Sequence, residues 1–117
     1  MCVFLQPQSM DIHEASQQGD VDRVRELVQA GVSVNHADWR GFTPVYTASC
    51  NGHEQVVRAL AELGANVNLA RDDGDTAVHI ASEFGHEQVV RVLAELGADV
   101  NQADNHGRTP VFIASYG

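Results

Sequence analysis

The stretch GHEQVVRALAELGANVN occupies residues 52–68 and returns as GHEQVVRVLAELGADVN at residues 85–101. Two near-copies in so short a chain mean that its fold is built by repetition, so the period decides the architecture before any single helix does. Gly41, Gly74 and Gly107 are 33 residues apart, as are Thr43, Thr76 and Thr109. Ala15, Ala48, Ala81 and Ala114 keep the same interval, and so do Leu27, Leu60 and Leu93, Gly31, Gly64 and Gly97, and Asn35, Asn68 and Asn101. Each unit reads as a turn followed by two short helices. Thr43-Pro44 and Thr109-Pro110 place a capping hydroxyl before a proline at the first helical position, where its missing N–H costs nothing. The first helix runs to about Asn51 and breaks at Gly52. The second spans about Glu54 to Leu63, with Val57, Leu60 and Ala61 on one apolar face. Glu54, Arg58 and Glu62 stand at successive i,i+4 positions on an exposed face, each pair contributing at most a few tenths of a kcal/mol. Gly64 closes the helix as a left-handed cap. The Asn-, Asp- and Gly-rich residues after it are extended, with a tight turn.

The segments Thr-Pro-Val-Tyr-Thr-Ala (43–48), Thr-Ala-Val-His-Ile-Ala (76–81) and Thr-Pro-Val-Phe-Ile-Ala (109–114), together with Gly-Ala-Asp-Val-Asn (97–101) and the 33-residue period, resemble ankyrin repeats. The resemblance covers about residues 9–117. It implies an all-α solenoid of helix-turn-helix units joined by β-hairpin-like loops, with repeats at about 9–37, 38–70, 71–103 and a partial one at 104–117, after an N-terminal extension of residues 1–8. Val45, Val78 and Val111 stand where the family has leucine, and Ala77 where it has proline. The family histidine survives as His13 and His79. Tyr46 and Phe112 replace it elsewhere, so those two units have no histidine for the family's Thr–His hydrogen bond.

The two ends of the array differ. Arg23 and Glu26 stand where the inner units have Val56 and Ala59 or Val89 and Val92, the polar face expected of a first, capping unit. Its cap motif is worn, with Met10 and Asp11 at the Thr-Pro register. At the other end the last unit stops at Gly117 without a second helix, which suggests a longer array.

Composition limits the function classes. The formal charge is −9, from seven basic and sixteen acidic residues, and no lysine is present. Nucleic acid and anionic membrane are poor partners for such a chain. No apolar span approaches the ~20 residues that cross a bilayer, and no secretory leader is recognisable. Two cysteines, Cys2 and Cys50, fit a reducing intracellular compartment, cytoplasmic or nuclear.

Motifs for chemistry fail on spacing. His-Glu at 53–54 and 86–87 begins like a zinc-protease helix, but Val57 and Val90 stand where the second ligand is needed. These histidines read as helix starters, as Asp20 does at the same register. No histidine pair has metal-ligand spacing, and residues 72–79 lack the spacing and final glutamate of a calcium loop. Cys50 ends a helix, where the dipole disfavours a thiolate. No catalytic residue, metal or cofactor is expected.

Residues 52–70 and 85–103 differ at three of nineteen positions, whereas residues 38–51 and 71–84 differ at nine of fourteen. Candidate partner-binding residues are therefore sought among the varied positions. Trp39, Arg40 and Phe42 become Asp72, Asp73 and Asp75, then Asn105, His106 and Arg108, all flanking the turn glycine. Cys50 and Asn51 become Glu83 and Phe84. The resemblance places these on hairpin tips and an inner groove used for binding proteins. Trp39 and Phe42 suit an interface anchor, or they pack on one another and the next turn. The three aspartates form an acidic tip suited to a basic segment of a protein partner. The alternative is a structural spacer with no partner of its own. The resemblance further implies that Asn35, Asn68 and Asn101 are positions hydroxylated in some ankyrin proteins, beside a structural role in the turn.

Overall fold

The computed structural model describes residues 11–38, 41–71 and 74–99. These hold six helices and, among the described residues, no strand: α1 (Ile12–Gln18), α2 (Val21–Gln29), α3 (Pro44–Cys50), α4 (Glu54–Glu62), α5 (Ala77–Glu83) and α6 (Glu87–Glu95). α1, α3 and α5 form one row, α2, α4 and α6 a second, and each successive pair is a hairpin. The expected Pro44 start is observed, with Thr43 Oγ1 accepting from the Tyr46 N–H at 3.2 Å. In the first unit the cap has moved rather than worn away. Asp11 caps α1 by accepting from the Glu14 N–H at 2.8 Å, and α1 begins one register position later than α3.

The second helices end alike. Ala65 N–H donates to the Leu60 carbonyl and Gly64 N–H to that of Ala61, at 2.9 and 3.0 Å, with Gly64 at φ +102°. Together these bonds satisfy carbonyls that the helix end would otherwise leave without partners. The loop tips close through Asp38 N–H to the Phe42 carbonyl at 3.0 Å and Arg71 N–H to the Asp75 carbonyl at 2.8 Å. Between neighbouring loops, Asn35 Oδ1 accepts from the Asn66 N–H at 2.9 Å and Asn68 Oδ1 from the Asp99 N–H at 2.8 Å, so the repeated asparagines splice one loop to the next.

The core lies between the two rows. Val24, Val56, Val57, Leu60, Val89 and Leu93 from the second helices meet Ile12, Ala15, Val45, Ala48, Val78 and Ala81 from the first. α4 sits between α2 and α6, so it buries Val56 and Ala59 as well as Val57 and Leu60. The exposed charges depart from the i,i+4 expectation. Arg58 pairs with Glu95 at 3.0 Å and Arg25 with Glu62 at 2.8 Å, each bridging to the next helix of the row.

His53 and His86 stand at the helix starts but make no side-chain cap bond there. Their rings reach backwards instead. His53 Nε2–H donates to the Gln17 carbonyl at 2.8 Å and His86 Nε2–H to that of Cys50 at 3.0 Å. Each ring lies over a left-handed glycine of the preceding unit. A Cβ on Gly19 would come within 2.9 Å of His53 Nδ1, and one on Gly52 within 3.0 Å of His86 Nδ1. At Gly85, the same register, nothing lies within 4 Å among the described residues. Gly52→Ala and Gly85→Ala therefore share the backbone strain of φ +76° and +72°, about 1 kcal/mol. Only Gly52→Ala also displaces a ring. Urea unfolding is expected to find Gly52→Ala the costlier by about 1 kcal/mol; equal costs would mean that the ring contributes nothing.

Candidate functional site

The described candidate residues fall into two separate groups, Phe42 and Asp75 at loop tips and Cys50, Asn51, Glu83 and Phe84 at the far ends of the first helices. The seven residues of α3 hold them about 10 Å apart.

At the tip, Phe42 stacks on Tyr46 with ring centroids 4.6 Å apart, and the Arg71 guanidinium lies 4.9 Å over the Phe42 ring. Phe42 thus packs on the neighbouring turn. Tyr46 O–H donates to Asp75 Oδ2 at 2.8 Å, and Arg71 Nη1 donates to the Tyr46 oxygen at 3.4 Å. Asp75 is 8% exposed. This corrects the expectation of an open acidic tip at that residue: its carboxylate faces inward, because the tyrosine of the preceding unit requires an acceptor there. Burial, then the Asp75 carboxylate, push the Tyr46 phenol well above its ordinary range, while Arg71 opposes them. Trp39, Arg40, Asp72, Asp73, Asn105, His106 and Arg108 lie outside the described residues.

The residues at the Tyr46 register do three different things with one geometry. His13 Nε2–H donates to the carbonyls of His36 and Phe42 at 2.8 and 3.1 Å, tying α1 to the next tip. Tyr46 makes the corresponding link to Asp75. His79 turns inward, its Nδ1 accepting from the Thr76 N–H at 3.1 Å and lying 2.6 Å from Thr76 Oγ1. The Thr–His bond that the sequence leads one to expect at this unit is therefore present. Carbonyl oxygens can only accept, so the rings at 13, 53 and 86 carry their proton on Nε2.

At the helix ends, Cys50 is half-buried and its carbonyl is taken by His86, while exposed Asn51 donates from Nδ2 to the Thr47 carbonyl at 2.8 Å. Glu83 is exposed, and Phe84 is 55% exposed, more than any other large hydrophobic side chain among the described residues. Gln17 and Gln18 of α1 join this edge, although copy-to-copy comparison of the two complete units passed over them. The first unit was the signal for them. α1, α3 and α5 all end here, so their partial negative charge adds to Glu83 and favours a cation.

Among the described residues no group of three or more His, Cys, Asp or Glu side chains could hold a metal, and no helix is long and apolar enough to cross a membrane. The family model for ankyrin repeats in many copies matches residues 12–61, 48–94 and 78–117. The chain belongs to the ankyrin-repeat family. Ankyrin repeats commonly mediate protein–protein interactions, and their domains are generally non-catalytic. No curated protein matches this ankyrin-repeat chain. The family match fits the stacked hairpins.

Proposed function

We propose that the chain is a non-catalytic protein-recognition module of the cytoplasm or nucleus, binding a protein segment along the edge formed by the ends of the first helices and across the tips. The observation that carries this reading is Phe84, a large apolar side chain left 55% exposed beside Glu83. The segment that fits such an edge puts an apolar residue on Phe84 and a basic one by Glu83. Trp39 and Arg40, with Asp72 and Asp73 of the next tip and Asn105, His106 and Arg108 beyond it, extend the surface in this reading. The scaffold is ordered before the partner arrives, so binding loses little conformational entropy.

The competing reading is a spacer with no specific partner. Peptides selected from a random displayed library against the immobilised chain separate the two. Phe84→Ala and Trp39→Ala are each expected to weaken selected peptides about tenfold while moving the melting midpoint by less than ~3 °C. Peptides that bind all variants equally would leave the spacer standing.

A further inference from the structure

The first helices end on the same turn, each with a different residue before its left-handed glycine. Gln18-Gly19, Asn51-Gly52 and Phe84-Gly85 share the register, with the glycines at φ +78°, +76° and +72°. Their N–H groups donate to the carbonyls of Ser16, Ser49 and Ser82 at 3.4, 3.3 and 3.2 Å. The residue in front decides what chemistry the turn can do. A backbone nitrogen can attack the side-chain carboxamide of an asparagine before it and close a five-membered imide. Glycine leaves that nitrogen open to approach, because it has no Cβ. Asn51 is the one asparagine of the sequence that a glycine follows; Asn35, Asn66, Asn68, Asn101 and Asn105 precede larger residues. Gln18 could close only a six-membered ring, and Phe84 has no amide.

The fold restrains the atoms of this reaction. Ring closure needs the Gly52 nitrogen turned to eclipse Cβ of Asn51, whereas the Asn51 ψ of 2° keeps it to one side. Asn51 Nδ2 is held by the Thr47 carbonyl at 2.8 Å, and the Gly52 N–H by that of Ser49. The His86 ring lies over Gly52, its Nδ1 3.0 Å from where a Cβ would stand, and its Nε2–H donates to the Cys50 carbonyl at 3.0 Å. Exposed Asn51 is thus withheld from reaction until the last turn of α3 opens, and helix ends are where local opening costs least.

We propose that Asn51-Gly52 is a self-modifying site that records such opening in one direction. Gly52 N gives up its proton and bonds to Asn51 Cγ, the Cγ–Nδ2 bond breaks, and Nδ2 leaves as ammonia with that proton. Water then opens the imide. Hydrolysis at Cγ leaves aspartate at position 51; hydrolysis at the backbone carbonyl leaves isoaspartate, with the main chain rerouted through Cβ and Cγ. Nothing is oxidised or reduced, and water is the one co-reactant. Neither product closes the turn again. A carboxylate only accepts, so it has nothing to donate to the Thr47 carbonyl, and its charge stands at the negative end of α3. Isoaspartate also lengthens the main chain by one carbon, which displaces Gly52 from beneath the His86 ring. The link from His86 at the head of α6 to the Cys50 carbonyl is then lost.

The test incubates the full chain at mildly alkaline pH, folded and in denaturing urea, and maps each asparagine by mass spectrometry of proteolytic peptides. Asn51 is expected to be the first asparagine converted in the folded chain, and about tenfold or more slower there than in urea, because only the opened fraction reacts. Asp73-Gly74 can form the same imide only by losing water and regains its mass on hydrolysis, so it does not imitate the signal. His86→Ala should speed conversion of the folded chain severalfold and leave the rate in urea unchanged. Asn51→Gln, which carries the residue of the first unit, should abolish conversion at that position. The aged parent and Asn51→Asp should both melt below the fresh parent, while aged Asn51→Gln melts as its fresh form does. Folded conversion as fast as in urea, none at Asn51, another asparagine converting first, no effect of His86→Ala, or an aged parent melting as the fresh one does would each overturn the proposal.

Discussion

Leu60→Ala is expected to destabilise the chain by about 3–4 kcal/mol, among the largest losses available to a single truncation here. Leu60 is fully buried on α4, the helix flanked in its row on both sides, so the cavity it leaves is walled by packed neighbours that cannot all move inward. Leu27 occupies the same register in α2 and is only half-buried. Leu27→Ala should cost about 1–2 kcal/mol. The melting midpoints should fall by roughly 12 °C and 5 °C respectively. Urea unfolding of both variants against the parent checks the ordering. A reduced m-value in Leu60→Ala would mean that the flanking units had uncoupled, as nearest-neighbour coupling in a repeat array allows. Equal costs at Leu27 and Leu60 would contradict a core centred on α4.

That contrast marks how far the sequence could be read. The 33-residue register places α3 to within a residue of its cap and α4 to within one residue of its end, because threonine before proline and glycine after a helix act through local backbone geometry. At the polar register of the first unit Glu26 is exposed while Arg23 is half-buried and pairs with it, so residue type alone did not fix the exposure of both. Asp11 was harder. A carboxylate one place beyond the expected hydroxyl caps as well, so the motif looked damaged when it had only shifted.

The contacts that were not legible join residues 29 to 37 positions apart. Period alone says that His53 begins a helix. It does not say that the ring turns back to a carbonyl of the unit before, leaving the helix without a side-chain cap. Arg58 and Glu62 satisfy an intrahelical spacing equally well, yet both bond across helices, where parallel neighbours bring the longer partners into line. Asp75 is the clearest case for the candidate site. By composition it belongs with Asp72 and Asp73 as one acidic tip, and only the placement of Tyr46 in the preceding unit shows why it turns inward. Glu83 and Phe84 have no such inward partner among the described residues, and both are exposed.

The second large effect is expected at that inward carboxylate. Asp75→Ala removes the acceptor of the Tyr46 hydroxyl, which is 2% exposed as a residue and has the Arg71 donor, not an acceptor, as its other neighbour. A hydrogen bond to a charged group contributes about 1.5–3 kcal/mol, and the stranded buried hydroxyl adds its own desolvation cost, so a total near 2–4 kcal/mol follows. Tyr46→Phe should cost about 1–2 kcal/mol, since it removes the donor and keeps the ring against Phe42. The double variant should cost less than the two single costs combined by about 1–2 kcal/mol, and additivity within ~0.5 kcal/mol would dissolve the network. pH supplies an independent reading of the same bond. The folded-state Tyr46 holds its proton more tightly than the unfolded chain does, first through burial and then through Asp75. Its contribution is therefore complete below the unfolded value of about 10 and is lost as pH rises beyond it toward the folded one. Stability measured from pH 8 to 11 should fall at the alkaline end in the parent. It should fall nearly as much in Asp75→Asn, where burial persists, and less in Tyr46→Phe, where no phenol remains at that position to ionise.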